Sequence, residues 1–253
     1  MILDSVAAVV TGGASGLGGA TAEMLATRGA RVTIFDLDEA RGTAHAARIG
    51  ARYQRVDVTD AGSVAAALSA AEAEHGVARI LVNCAGIALA AKVVGRDGKP
   101  HALESFRQVV SVNLVGTFNV LSQFSARLLA QPVLGEERGV IVNTASVAAF
   151  DGQIGQAAYA ASKGGIAAMT LPVARELASS AIRVVAIAPG IFRTPMLAGL
   201  PQAAQDSLGQ QVPFPSRLGK PEEYAMLVGS ILDNPMLNGE VIRLDGAIRM
   251  APR

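Results

Sequence analysis

The sequence predicts an α/β protein, a doubly wound parallel sheet of about seven strands flanked by helices. Short apolar runs rich in β-branched residues alternate with longer Ala- and Leu-rich stretches of helical periodicity. The short runs are apolar on both faces, which is typical of parallel strands covered by helices on either side. The predicted strands are 6–11, 31–35, 53–56, 79–83, 139–144, 182–187 and 240–244, and the predicted helices lie near 16–28, 39–48, 61–75, 103–130, 154–180 and 221–232.

Length and composition favour one globular domain over residues 1–253. The chain is 51% hydrophobic with a net charge of +1, so the disordered class is excluded. Basic and acidic residues number 22 and 21 and form no long run, so no nucleic-acid partner is expected. We see no targeting segment, no apolar stretch near the roughly 18 residues that span a bilayer, and one cysteine. These features predict a cytoplasmic protein without a membrane partner.

A glycine-rich turn follows the first predicted strand. The sequence TGGASGLG occupies residues 11–18 and opens the first predicted helix. Gly12, Gly16 and Gly18 allow a tight turn and a close approach of the backbone to a pyrophosphate at the helix N-terminus. A glycine cluster by itself also occurs in tight strand–helix turns that bind no ligand. Its position between a strand and a helix, at the start of a βαβ unit, indicates a dinucleotide site and a Rossmann-type domain.

Asp36, at the end of the second predicted strand, selects between NAD and NADP. A carboxylate there can accept both adenosine ribose hydroxyls and would repel a 2′-phosphate. The alternative is that Asp36 caps the next helix, but Asp38 can serve as that cap. Arg41 is the nearest base that could accommodate a phosphate, and it lies inside the predicted helix. The sequence therefore predicts NAD as the cofactor.

The ends of the third and fourth predicted strands supply further candidates for the cofactor site. Asp57 and Val58 follow the third strand, and the sequence NCAG at 83–86 ends the fourth. Ligands of an open parallel sheet lie beyond the carboxyl ends of its strands, where small residues let the backbone pass close to a cofactor. Cys84 is expected to be a small buried side chain that lines the site, with no reactive thiol.

Tyr159, Lys163 and Ser146 are the candidates for chemistry. Tyr159 and Lys163 are four residues apart in a predicted helix and share one face. A free tyrosine has a pKa of about 10, and a nearby cation would lower it toward the range that acid–base catalysis needs. Ser146, at the end of the fifth predicted strand, could hydrogen-bond the substrate oxygen. A surface Tyr–Lys pair is the alternative, and a serine hydrolase is disfavoured because Ser146 lacks flanking glycines and a partner histidine.

Asn113 and two irregular segments complete the candidates. Asn113 lies inside a predicted helix, where asparagine is unfavourable, so it is either a satisfied core amide or a group that holds a relay water. Residues 87–102 form a long charged loop. Five prolines prevent 189–217 from forming one helix, so we expect a loop with a short substrate lid that exposes the apolar residues Met196, Leu197 and Leu200.

Together with Pro189-Gly190 and Thr194, these motifs resemble the short-chain dehydrogenase/reductase superfamily over nearly the whole chain. The resemblance implies an NAD-dependent enzyme that interconverts a secondary alcohol and a ketone. It implies that Tyr159 is the acid/base, that Lys163 lowers its pKa and holds the nicotinamide ribose, and that Ser146 polarises the substrate oxygen. Asn113 would hold a water in the proton relay. The residues implied to contact the nicotinamide carboxamide are Phe192 and Thr194.

The segments 143–177, 211–225 and 237–250 resemble more narrowly the subfamily of NAD-linked 3-hydroxyacyl-CoA dehydrogenases. That resemblance implies a homotetramer acting on acyl-CoA and some hydroxysteroids. It also implies that Gln153 faces the substrate hydroxyl and that the residues lining the cofactor site include Ser15, Leu17, Val58, Cys84, Ala85 and Gly86. Arg193 departs from the small residue expected beside the nicotinamide.

Two alternative functions and one loop hypothesis stay open. A 3-oxoacyl-thioester reductase of fatty-acid synthesis would usually favour NADP, which argues against an acid at position 36. A cofactor-binding scaffold with little catalysis would predict damage to Asn113, Ser146, Tyr159 or Lys163, yet all four are present. The bases of the long loop are either solvated or attract the phosphates of CoA; they are Lys92, Arg96 and Lys99.

Overall fold

The computed structural model describes residues 1–199 and 201–252. It contains one seven-stranded sheet in which every neighbouring pair is parallel, in the order β3-β2-β1-β4-β5-β6-β7. The predicted fold class is confirmed. The strands are β1 Ala7–Thr11, β2 Arg31–Asp36, β3 Arg52–Arg55, β4 Ile80–Asn83, β5 Gly139–Thr144, β6 Ile182–Pro189 and β7 Val241–Leu244.

Helices cover both faces of the sheet. They are α1 Gly16–Thr27, α2 Glu39–Ile49, α3 Ala61–His75, α4 Leu103–Val110, α5 Gly116–Leu128, α6 Ala157–Ala178, α7 Pro195–Ala198, α8 Gln202–Gln210 and α9 Pro221–Asp233. Successive residues of a strand point to opposite faces of the sheet and so enter opposite helical layers. Val10 joins the core with Leu25 of α1 and Val228 of α9, whereas Val9 joins the core with Leu68 of α3 and Phe124 of α5. Each such fully buried side chain contributes about 1.5–3 kcal/mol, so both layers stabilise the sheet.

Helices α4 and α5 form one continuous helix with a π-helical turn at Ser111–Val115. By length and composition alone, Leu103–Leu128 is apolar enough to cross a membrane, a property that the sequence analysis did not anticipate. Its inner face packs in the core through Val120 and Phe124, and 44% of the apolar window is buried. Its outer face exposes Val115 and Phe118.

The strand order reverses between β1 and β4, which are neighbours in the sheet although β2 and β3 lie between them in sequence. Such a switch point leaves a crevice outside the carboxyl ends of the strands, because the connections on its two sides leave toward opposite faces. The motifs at 11–18 and 83–86 follow these two strands. The fold therefore places the predicted cofactor residues beside this crevice.

Candidate active site

A cleft of about 860 Å³ opens at the carboxyl ends of the strands. It is bordered by all but one of the predicted site residues, the exception being Asn113. The predicted residues that border it are Gly12, Ser15, Gly16, Leu17, Gly18, Asp36, Asp57, Val58, Cys84, Ala85, Gly86, Ser146, Gln153, Tyr159, Lys163, Pro189, Gly190, Phe192 and Thr194. One concave surface therefore contains both the expected cofactor residues and the expected chemical groups.

The glycine turn needs its glycines. Gly12 has φ +63°, and a Cβ there would lie 2.7 Å from the backbone nitrogen of Ala85. A Cβ at Gly18 would overlap the carbonyl oxygen of Gly12. Ser15 precedes α1 without a capping bond from its side chain. The first backbone N–H groups of α1 therefore remain available at a helix N-terminus, where a pyrophosphate binds favourably.

Asp36 is oriented by the backbone around it. Its carboxylate accepts hydrogen bonds from the N–H of Ala14 and the N–H of Asp38, both over 3.0 Å. Each carboxylate oxygen keeps a further lone pair for another donor. The predicted capping role of Asp38 is confirmed, because its side chain accepts from the N–H of Arg41. Arg41 also forms an ion pair with Asp38 over 2.5 Å.

A row of polar side chains supports the loop after β4. Thr11, Asn83 and Asn143 occupy matching register positions on three neighbouring strands. Asn83 accepts from the Thr11 hydroxyl over 3.3 Å and donates to Asn143 over 3.0 Å. The Thr11 hydroxyl in turn accepts from the N–H groups of Cys84 and Ala85 over 3.2 Å each. These bonds fix the segment that borders the middle of the cleft.

Cys84 is a lining residue with a protonated thiol. Its sulfur lies 3.4 Å from the Thr144 hydroxyl and 3.7 Å from the hydroxyl of the fully buried Tyr224. Burial raises the pKa of the Cys84 thiol, which keeps it from acting as a thiolate at neutral pH. The sequence predicts that Cys84 is a small buried side chain without a reactive thiol; the residue is partly buried, and its protonated thiol agrees with that prediction.

Tyr159, Ser146 and Lys163 come together where β5 ends and α6 begins. The Lys163 ammonium lies 5.8 Å from the centre of the Tyr159 ring and donates to the carbonyl oxygen of Thr144 over 2.7 Å. The Ser146 hydroxyl accepts from the N–H of Ala148 over 3.1 Å and also hydrogen-bonds Tyr159. Two hydroxyls and one ammonium thus border the same part of the cleft, as the sequence predicts.

The predicted lowering of the Tyr159 pKa is wrong for the protein chain alone. Burial raises the pKa of Tyr159, and the hydrogen bond from Ser146 offsets this only in part. The same burial lowers the pKa of Lys163 to about 8. Desolvation disfavours both charged forms, and it is the largest effect on the pKa of each group.

Asn113 ties three segments together. Its side-chain oxygen accepts from the N–H of Ile87 over 2.8 Å, and its amide donates to the Ile87 carbonyl over 2.9 Å and to Ser162 over 3.0 Å. Ser162 in turn donates to the carbonyl of Tyr159 over 2.8 Å. Of the two roles that the sequence allows, the geometry is that of a satisfied core amide, which positions α6 against the loop after β4. Its part in a water relay stays a prediction.

The structure describes some, but not all, of the residues predicted to contact the substrate. Gln153 borders the cleft, but its carboxamide donates to the carbonyl of Ala251 and accepts from Gln156. In the lid segment, Leu197 borders the cleft beside Leu208 of α8. The Met196 side chain and Leu200 lie outside the part of the chain that the structure describes. The Arg193 side chain is exposed.

Several lining residues were not predicted from the sequence. Leu37 and Ile191 are next to predicted site residues in the sequence, and that position is the signal that could have identified them. Met250 ends the segment 237–250 that carries the subfamily resemblance, but no local pattern places its side chain beside the cleft. Within residues 1–199 and 201–252, no group of three His, Cys, Asp or Glu side chains is arranged to hold a metal ion.

Comparison with known proteins agrees with this geometry. The model of the family described as short chain dehydrogenase matches residues 6–205. The chain is 55% identical to the 3-hydroxyacyl-CoA dehydrogenase type-2 of Homo sapiens, over 97% of this chain and 95% of that protein. The crystal structure of a 3-hydroxyacyl-CoA dehydrogenase type-2 from Mycobacterium avium superposes with a TM-score of 0.94 at 41% identity, covering 98% of each chain. A 3-oxoacyl-acyl-carrier-protein reductase, FabG of Thermotoga maritima, is 33% identical over 98% of this chain and 99% of that protein.

Proposed function

The chain belongs to the short-chain dehydrogenase family, and on that premise we propose that it oxidises the secondary alcohol of a 3-hydroxyacyl-CoA to the ketone with NAD. The observation that carries this proposal is the convergence of the Tyr159 and Ser146 hydroxyls with the Lys163 ammonium inside the cleft. The identity of 55% to a protein named for this substrate supports the substrate class.

The residues of the cleft fit a nicotinamide dinucleotide. The turn at residues 12–18 and the N-terminus of α1 suit a pyrophosphate, and the two remaining acceptor positions of Asp36 suit the adenosine ribose. Arg41 also borders the cleft, where its guanidinium pairs with Asp38, so it is not a free cation for a 2′-phosphate. These contacts favour NAD over NADP. They also disfavour the runner-up, a reductase of fatty-acid synthesis.

The chain's own groups act on the alcohol. When bound, the nicotinamide ring supplies the hydride acceptor. The Ser146 hydroxyl hydrogen-bonds the substrate oxygen and holds it beside Tyr159, which takes the hydroxyl proton during oxidation. Lys163 holds its position through the Thr144 carbonyl and provides a positive charge near the developing phenolate. In the reverse direction Tyr159 returns the proton to the ketone oxygen.

The environment of Tyr159 sets the pH dependence of the two directions. Burial raises the pKa of Tyr159, so the neutral phenol predominates at neutral pH and is ready to act as an acid. Oxidation requires the phenolate, so its rate should increase as the pH rises. Reduction requires the phenol, so its rate should decrease at high pH.

Steady-state kinetics test the proposed function. Rates are measured with NADH and NADPH on acetoacetyl-CoA, on an acyl-carrier-protein thioester and on an oxosteroid. We expect acetoacetyl-CoA with NADH to have the highest kcat/KM. Tyr159→Phe should reduce kcat at least about 10²-fold, because it removes the proton that a positioned acid supplies. A preference for NADPH with the carrier-protein thioester would establish the runner-up, and full activity of Tyr159→Phe would refute the mechanism.

Assembly as a homotetramer and a cytoplasmic location belong to the same proposal. Val115 in the turn before α5, Phe118 on α5 and Leu171 on α6 are 50%, 52% and 43% exposed. Leu114 packs against Gly165 where these helices meet. An exposed apolar surface of this kind is typical of a subunit interface. Light scattering after gel filtration measures the subunit number.

The single cysteine supports a location in a reducing compartment, in agreement with the proposed cytoplasmic location.

A further inference from the structure

The segment after β7 folds back onto the substrate side of the cleft. The side chain of Gln153 donates to the carbonyl oxygen of Ala251 over 3.0 Å, and the N–H of Ile154 donates to the carbonyl oxygen of Pro252 over 3.0 Å. Met250 lies in sequence between β7 and these two contacts, and it borders the same cleft as Tyr159. We refer to residues 246–252 as the returning segment.

An ion pair anchors the returning segment. Arg243 of β7 donates to both carboxylate oxygens of Asp151, over 2.5 Å and 3.2 Å, and to the carbonyl oxygen of Ile248 over 3.0 Å. The side chains of Arg243 and Asp151 are 22% and 15% exposed. Paired bonds between a guanidinium and a carboxylate fix both position and orientation, and partial burial protects them from water. The loop that follows Ser146 is thus fixed to the last strand.

The Asp151 carboxylate also holds the returning segment directly. The hydrogen bond from Arg243 lowers the pKa of Asp151 the most, and the N–H of Met250 lowers it as well. The bonds described for the segment run between main-chain groups and to the side chains of Asp151, Gln153, Arg243 and Asp245. None of them uses the side chain of Met250, which remains available to a molecule in the cleft.

The cleft that Met250 borders also has apolar side chains next to Ser146, which suit an apolar substituent. Val147 and Ala148, directly after Ser146, border the same cleft. Their side chains are nearly fully buried in the protein, so they present a small and rigid wall. A methionine is flexible and polarizable, and it adapts to chains of different shape. The sequence predicts apolar substrate contacts only in the segment 189–217.

We propose that Met250, held by the Asp151–Arg243 ion pair, forms the wall that contacts the acyl chain of the substrate and determines which chain lengths are accepted. This proposal rests on the function proposed above. Asp151 and Arg243 are positioning residues in it, because they act through Met250. Loss of the Met250 side chain removes apolar contacts from a long chain and few from a short one.

The test compares reduction of 3-oxodecanoyl-CoA and acetoacetyl-CoA by NADH in Met250→Ala, Asp151→Asn and the double variant. We expect the ratio of kcat/KM, long chain over short, to fall about tenfold in Met250→Ala. Asp151→Asn should lower the ratio in the same direction. The double variant should be no worse than Met250→Ala alone, because the ion pair acts through that side chain. Met236→Ala is the matched control, since Met236 is 88% exposed and should leave the ratio unchanged.

Two outcomes overturn the proposal: a ratio in Met250→Ala within twofold of the parent protein, or additive losses in the double variant. Circular dichroism verifies that each variant is folded. If the parent reduces neither thioester, the proposed function has failed. The same ratio is then measured with ethyl 3-oxodecanoate and ethyl 3-oxobutanoate, and an unchanged ratio in Met250→Ala again refutes the role of Met250.

Discussion

The ammonium of Lys163 donates a hydrogen bond to the main-chain carbonyl of Thr144 over 2.7 Å. This bond ties α6 to the end of β5, two residues before Ser146. The ammonium lies 5.8 Å from the ring centre of Tyr159, over the ring. Lys163 therefore contributes a fixed position as well as a charge, and both depend on the end of β5.

Lys163 should make stability depend on pH. Burial lowers its pKa to about 8, below the roughly 10.4 of an exposed lysine. Between these values the unfolded chain binds more protons than the folded protein, so the free energy of unfolding rises with pH from about 8 to about 10. The gain should be about 2 kcal/mol relative to Lys163→Met, which lacks the titrating group. Urea unfolding of both proteins at pH 7 and pH 10 measures this gain. If the free energy of unfolding changes with pH by the same amount in both proteins, the lowered pKa of Lys163 is contradicted.

Asp36 should determine the choice of dinucleotide. Asp36→Asn removes the charge that repels a 2′-phosphate and replaces one acceptor by a donor. We expect the preference for NAD over NADP, measured as a ratio of kcat/KM, to fall about 10- to 10²-fold. Asp60→Asn is the matched control, because Asp60 caps α3 through the N–H of Ser63 and asparagine caps equally well. An unchanged ratio in Asp36→Asn would remove the charge argument for NAD.

The cofactor side of the cleft could be predicted because its determinants are local in sequence. A strand, a glycine turn and a helix follow one another at 7–27, and the backbone geometry of Gly12 needs glycine itself. The carboxyl ends of parallel strands then bring Asp36 and Cys84 to one edge without further information.

The rest of the site depends on burial and on contacts between distant segments. The direction of the Tyr159 pKa shift could not be predicted from its spacing to Lys163, because burial of the phenol sets that direction. The returning segment meets Gln153 across 98 positions of sequence. No periodic pattern encodes that contact, so Met250 was missed.

The buried ion pair between Arg183 and Glu137 should be important for stability. Its atoms are 2.6 Å apart, and the two side chains are 7% and 8% exposed. Glu137→Gln leaves the guanidinium buried without a counter-charge, which should cost about 3–5 kcal/mol of unfolding free energy. Glu136→Gln is the matched control on the exposed neighbouring position. Chemical denaturation measures both variants, and a loss below about 1 kcal/mol would show that water reaches Arg183.

The long loop should attract the phosphates of CoA through its exposed bases. Val94 bridges Pro100, so the loop is a short hairpin that exposes Lys92 and Arg96, whereas Lys99 lies 3.4 Å from Asp97. Phosphates are attracted by exposed cations, and salt weakens the attraction. The alternative is that these side chains are only solvated.

Replacing Lys92, Arg96 and Lys99 together by Gln should therefore raise the KM for acetoacetyl-CoA several-fold at low ionic strength and much less at 0.5 M salt. Ethyl acetoacetate has the same reacting ketone but no phosphates, so its KM should not change. Lys99→Gln alone should have the smallest effect of the three single variants, because its charge is already partly balanced by Asp97. Equal changes in KM for the thioester and the ester would mean that the loop acts on the shape of the cleft, and a CoA contact at these bases would be refuted.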